Sequence, residues 1–353
     1  MPTNRYRVGV TGLNATDDPQ PGIGVARCLR ASGLGVEKVV GLSYDALDTG
    51  IYDKGLLDEV YLLPYPGEGE GALFHRIKEI HRKAGLDVII PTLDLELMNF
   101  IHLEGELADM GIHLLLPSET ALRNSFKSSL YDFFRSRGFA VPRGSSVVDP
   151  GQLKGLAKEL GFPLVVKGLI HEAQVAYTLD EANVAFNKIG ARWGFPLIVQ
   201  EYIPGEEYDV AGVGDRNGQC VGAVAMRKLR VTDRGKAWYG ISIYDHELLG
   251  LAKAMLEELG WVGPLEMEFI KKTSGGYCIM EVNPRFPAWI YLTAGVGVNL
   301  PEAVVRIAKG EEIAHFNSYK AGVIFARHVV DLICPISYLE ALTSDGELLF
   351  GKK

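Results

Sequence analysis

The stretch YCIMEVNPR at 277–285 sets a carboxylate, an amide and a guanidinium at alternate positions, Glu281, Asn283 and Arg285, directly behind an apolar run. Residues two apart on a strand share a face, so the three would point together if extended backbone persisted through Pro284. Proline donates no ladder hydrogen bond, which places this segment at a strand end or a sheet edge. Glu281 and Asn283 supply hard oxygen atoms, and magnesium is commonly held by one or two carboxylates together with substrate phosphates. Glu268 supplies another, from a neighbouring apolar run that TSGG at 273–276 would turn back as a hairpin. Arg285 adds a planar fork of donors suited to a phosphate or carboxylate group. The plain structural alternative pairs Glu268 and Glu281 with lysines such as Lys271 and Lys272.

The elements that must carry these groups fall into two textures. Residues 6–116 alternate short apolar runs (RVGVTG, KVVGLS, EVYLLP, DVIIPT, IHLLLP) with stretches able to form helices. Strands and helices alternating at this spacing imply a mostly parallel sheet. Gly22 lies ten positions after Gly12, which does not fit a dinucleotide-binding G-x-G-x-x-G turn; a long first loop with close helix packing at Gly22 and Gly24 fits better. After Pro117, Ser118 can cap a single helix over 119–137 that stops at Gly138. The run FPLVVKGL (162–169) places one cation, Lys167, at the end of an otherwise buried strand, where it either meets an anion or reaches out to water. Two further apolar strands flank the turn that carries Gln200, Glu201, Glu206 and Glu207.

Composition narrows the classes. The chain has 353 residues, 47% hydrophobic and 9% aromatic, ample for buried cores. Its net charge of -8, from 44 acidic and 36 basic residues, comes with no long block of like charge, so nothing reads as a nucleic-acid arm. No apolar stretch approaches the length of a membrane span and the N-terminus lacks a signal-peptide pattern, so a cytoplasmic protein is expected. Four scattered cysteines without C-x-x-C spacing read as structural thiols.

Four motifs stand in order: Lys127 ahead of GFAVP, then FPLVVKG, then QEYIPGEEYDV, then GPLEMEFIKKTSGGYCIMEVNPR. Together they resemble the ATP-grasp superfamily of carboxylate-amine ligases, of the kind shared by the carbamoyl-phosphate synthetase large subunit. The resemblance implies a mixed α/β and α+β fold, with a Rossmann-like pre-ATP-grasp domain over 1–117, a linker helix and ATP-grasp lid subdomain over 118–205, and a C-terminal subdomain over 206–353. It implies ATP and Mg2+ as cofactors, with Mn2+ as a substitute. Lys127 and Lys167 would meet the α- and β-phosphates, Gln200 would offer its side-chain amide to adenine, and Glu201 and Ile203 their backbone groups. Glu207 would accept the ribose hydroxyls, while Glu268, Glu281 and Asn283 would hold the metal. Arg285 and Arg227 are the candidate catalytic residues, with Arg227 favoured over Arg230 for orienting a substrate carboxylate.

The reaction implied is activation of a small carboxylate, an amino acid among the candidates, as an acyl phosphate that an amine attacks. A water-excluding lid over residues 140–205 would protect that intermediate. An ATP-dependent carboxylase or carbamoyl-phosphate-type enzyme, and a non-catalytic nucleotide sensor, are the alternatives. The sensor reading rests on KGLIHEAQVAYT (167–178), which replaces the glycine-rich phosphate loop of many relatives with a bulky loop that His171 could bring to the phosphates. The expected partners are small-molecule substrates and a second copy in a homodimer, with neither nucleic acid nor membrane. Trp289 and Tyr291 either wall an acceptor pocket or pack in the core, and residues 313–353 are expected to extend the C-terminal part.

Overall fold

The computed structural model describes residues 5–169, 172–232 and 235–351. The chain divides into two compact units, one built from Met1–Ala121, Val210–Glu266 and Asn283–Lys353, the other from Leu122–Asp209 and Met267–Val282. Both units are discontinuous in sequence. The three consecutive domains expected from the motifs remain a proposal about organisation.

The first unit opens with strands β1 (Arg5–Val10), β2 (Gly35–Ser43), β3 (Glu59–Leu62) and β4 (Val88–Ile90). β1 pairs in parallel with β2 and β4, and β2 with β3. Val8, Val10, Val39, Val40 and Leu42 are fully buried, as strands covered on both faces by crossover helices require. IHLLLP does not become a full strand; it contributes a single parallel bridge between His113 and Val88. After β1 the chain loops to the helix Gly22–Arg30, and a Cβ on Gly22 would lie 2.1 Å from the Thr11 carbonyl oxygen. Close packing, rather than a phosphate-binding turn, accounts for that glycine.

The second unit contains β5 (Gly144–Val147), β6 (Leu164–Lys167), β7 (Ala173–Ala176) and β8 (Leu197–Glu201) in the antiparallel order β5-β8-β6-β7. Leu164, Val166, Leu197 and Val199 share a core with Leu153, Phe186 and Ile189 of the helices Leu153–Leu160 and Leu179–Trp193. Thr178 caps the longer helix by accepting from the Glu181 amide at 3.2 Å. The single helix expected over 119–137 is two, Glu119–Ser125 and Lys127–Arg135. Phe126 between them is extended, with φ -65° and ψ 141°. Ser125 and Ser129 turn their hydroxyls onto the Leu122 and Arg123 carbonyls, the local competition that lowers serine's helix preference. The break makes Lys127 the first residue of a new helix.

The remaining strands are β9 (Gly205–Gly214), β10 (Cys220–Val231), β11 (Ala237–Ile243), β12 (Gly263–Lys272), β13 (Tyr277–Asn283) and β14 (Ile324–Ala326), in the sheet order β13-β12-β9-β10-β11-β14. The chain passes from one unit to the other within β9, β12 and β13. Residues 313–353 do more than extend the C-terminal part, because β15 (Glu347–Leu349) pairs antiparallel with β3. The first sheet therefore has the order β15-β3-β2-β1-β4. No helix among the described residues is long and apolar enough to cross a membrane.

Candidate nucleotide and metal site

Within the second unit, the helix Lys127–Arg135 presents Lys127 and Tyr131 on one face, four residues apart. The Lys127 ammonium stands 3.0 Å from Glu281 Oε1. Lys167 closes β6 and is only 8% exposed. Its Nζ donates to Tyr131 Oη at 2.6 Å and lies 5.2 Å from that ring's centroid. Burial pushes the Lys167 ammonium down to about 8, and Lys127 pushes the same way, while Glu281 and Glu268 pull it up. Both candidate metal carboxylates thus act on one buried cation. Burial, reinforced by the Glu281 charge, raises the Tyr131 phenol, so it stays protonated. Its hydroxyl also lies 3.0 Å from Gln200 Oε1 and 2.9 Å from the Met280 carbonyl.

The hinge between β8 and β9 is anchored by Glu201. Its carboxylate accepts from Arg143 Nε at 2.9 Å, from the Arg143 amide at 2.9 Å, and pairs with Nη2 at 2.8 Å. Its own amide donates to the Arg143 carbonyl, so the backbone group Glu201 can offer a ligand is its carbonyl. Gln200 is 1% exposed and Ile203 half-buried. Glu207 is exposed, as is Glu206, which accepts from Tyr208 Oη at 3.1 Å. His171 lies outside the described residues.

In the first unit, the segment expected at a strand end or sheet edge is both, since β13 is an edge strand that stops at Asn283, and the Arg285 amide folds back to the Asn283 carbonyl at 2.8 Å. Asn283 Nδ2 donates to Glu266 Oε2 at 3.0 Å, and its Oδ1 accepts from Arg285 Nη2 at 3.3 Å. Arg285, 9% exposed, also pairs with Asp94 at 2.9 Å and stands 3.6 Å from Glu266. Trp289 Nε1 donates to the other Glu266 oxygen at 2.8 Å and the ring is 2% exposed, whereas Tyr291 is 43% exposed. Arg227 is half-buried on β10 opposite Ile241, and Arg230 is exposed.

Glu266 and Tyr131 were not among the expected site residues. Glu266 had a signal in the alternating Glu-Met-Glu of β12, two positions before Glu268; Tyr131 had none beyond its spacing from Lys127. A further buried carboxylate, Glu96, is pushed up to about 6 by burial, against hydrogen bonds from Thr11 and Tyr44 and from the Thr92 and Leu93 amides. Cys28, Cys220 and Cys278 are buried free thiols, raised by burial. Among the described residues no group of three His, Cys, Asp or Glu side chains is arranged to hold a metal ion. Were Glu268 and Glu281 to hold magnesium, its other ligands would have to come from an amide, phosphates or water, a donor set that suits this ion.

Residues 195–328, which include the hinge, Arg227, Glu268, Glu281, Asn283 and Arg285, match the family model described as ATP-grasp in the biosynthetic pathway with Ter operon. The N-terminal section of the carbamoyl phosphate synthase large chain from Methanopyrus kandleri is 24% identical over 334 residues, covering 86% of this chain and 56% of its own length. The chain thus spans about half, or less, of the curated relatives it matches. Among solved structures, the biotin carboxylase domain dimer of 2-oxoglutarate carboxylase from Hydrogenobacter thermophilus, in complex with MgADP, ADP and bicarbonate, aligns at TM-score 0.66 and 20% identity over 89% of this chain and 73% of its own. The N5-carboxyaminoimidazole synthetase of Staphylococcus aureus complexed with ADP aligns at 0.65 and 14% over 90% and 81%. These likenesses carry the fold. Residues 195–328 thus match an ATP-grasp model, and the chain is similar in sequence to the large chain of carbamoyl-phosphate synthase.

Proposed function

We propose that this protein is an ATP- and magnesium-dependent carbon–nitrogen ligase that activates a small-molecule carboxylate, an amino acid among the candidates, as an acyl phosphate. The observation that carries this reading is the buried Lys167 ammonium held within the influence of Lys127, Glu281 and Glu268. Two cations and two carboxylates kept together are what a triphosphate and its metal need. Lys127 and Glu281 pair with one another, while the like charges repel and the buried Lys167 is left undercompensated.

Glu268 and Glu281 would hold magnesium, with Asn283, two positions beyond Glu281, lending an oxygen once Arg285 releases it. Bound there, the ion would neutralise phosphate charge as the phosphoryl group transfers. Lys127 and Lys167 bind the α- and β-phosphates, Lys127 exchanging Glu281 for a phosphate oxygen and Lys167 using the ammonium protons left beside its bond to Tyr131. The Glu201 carbonyl and Ile203 amide address the base edge, Gln200 adds its carboxamide, and Glu207 takes the ribose hydroxyls. Arg227 orients the substrate carboxylate, whose oxygen attacks the γ-phosphorus as the bond to the β-phosphate oxygen breaks and ADP leaves. Arg285 stabilises the acyl phosphate until the amine nitrogen forms its bond to the acyl carbon, phosphate departs and the nitrogen loses a proton.

A second reading, a bicarbonate-using carboxylase or carbamoyl-phosphate-type enzyme, is favoured by the relatives, one of which was crystallised with bicarbonate. We also propose a homodimer. Incubation with magnesium-ATP and a panel of amino acids and amines should release ADP only when both substrates are present. ADP release dependent on bicarbonate would replace the first reading with the second, and ATP binding without turnover under any acceptor would leave a nucleotide sensor.

A further inference from the structure

We propose that Tyr131 is a positioning residue that holds the Lys167 ammonium and, through the same hydroxyl, sets the orientation of the Gln200 carboxamide and with it the choice of adenine over guanine. This rests on the nucleotide-binding reading above and adds a base specificity to it.

Proton counting carries the argument. A phenol has one proton to donate and two lone pairs to accept with. Tyr131 Oη has three polar neighbours within hydrogen-bond distance: Lys167 Nζ at 2.6 Å, the Met280 carbonyl at 2.9 Å and the Gln200 carboxamide at 3.0 Å. Lys167 can only donate and the Met280 carbonyl can only accept, so the phenol proton belongs to Met280. The Gln200 group facing Tyr131 must then be a donor as well, or two oxygens meet without a proton between them. A half-turn of the carboxamide, which exchanges oxygen and nitrogen in place, satisfies all three contacts, with Nε2 donating to Oη and Oε1 facing away.

Gln200 is 1% exposed and is the penultimate residue of β8, immediately before Glu201 and the hinge. Its outward oxygen accepts from the 6-amino group of adenine and opposes the 6-oxo group of guanine, and a buried polar group left unpaired is a strong basis for rejecting the wrong ligand. The hydroxyl that decides this also fixes Lys167, so base readout and phosphate grip share one atom. Tyr131 lies four positions after Lys127, which ties the arrangement to one turn of one helix.

The test is equilibrium binding of ATP and GTP to the full chain and to Tyr131→Phe, which keeps the packed ring, with melting temperature as the folding control. Tyr131→Phe should bind ATP about five- to tenfold more weakly, and its preference for ATP over GTP should fall by roughly tenfold, because a carboxamide without its anchor can turn to donate. Adding Gln200→Glu, whose carboxylate offers only acceptors, should restore the preference. A wild type that binds ATP beside a Tyr131→Phe variant with the same ATP:GTP ratio overturns this inference alone, as does a double variant as indiscriminate as the single one. A wild type that binds no ATP removes both the inference and the function on which it rests.

Discussion

Lys167 is a cation at 8% exposure whose ammonium donates to a neutral hydroxyl, a costly placement that a bound polyanion would repay. Its ammonium titrates at about 8 in the folded protein, below the ordinary value of 10.5, with burial as the largest cause. The cation is therefore present below about pH 8, and ATP affinity should fall as pH rises through that value, approaching tenfold per unit; calorimetric titration between pH 7 and 9.5 would expose a flat profile and reject the phosphate role. The stability linkage has the opposite sign. Between pH 8 and 10.5 the unfolded chain holds the proton that the folded chain has lost, so this residue's contribution to stability rises with pH across that window. Lys167→Met should weaken ATP binding by at least about tenfold while leaving the melting temperature at neutral pH level or higher, since it removes an undercompensated buried charge. Glu281→Gln should lower turnover by about 100-fold or more with the fold intact; near-normal ADP release would dismiss Glu281 as a metal ligand. The placement of these side chains was legible in the spacing, because Lys167 closes β6 and Glu281 alternates along β13.

At the scale of elements, the turn after β1 and the segment after β4 are held by one carboxylate. Glu96 accepts from the Thr92 and Leu93 amides at 2.8 and 2.9 Å and from the Thr11 and Tyr44 hydroxyls. Glu96→Ala would strand four donors in a dry site, and we expect a loss of about 3 kcal/mol or more in denaturant unfolding. An unchanged midpoint would mean that water replaces the carboxylate. The apolar runs forecast most strands here, because a short apolar run that buries both faces of a strand is a local property of the chain. What the runs did not forecast were hydroxyls that break the 119–137 helix at Phe126, and a three-residue β4 that meets IHLLLP at a single bridge, Val88 to His113.

For the whole molecule, saturating magnesium-ATP should raise the melting temperature by mass action, with about 2.7 kcal/mol gained at 100-fold over Kd. A melting curve indifferent to nucleotide would remove the proposed function at its root. The sequence alone determined the order of the four motifs, the cation at the end of FPLVVK and the oxygen donors flanking TSGG, since these depend on residue type and on spacing within a few positions. Tertiary structure decided which groups meet: Tyr131 with Lys167 across 36 positions and with Gln200 across 69, Trp289 with Glu266 across 23, and β15 with β3 from opposite ends of the chain. No periodicity reports such pairings, because they arise when separate elements bury their apolar faces together and bring along whatever polar atoms those faces carry.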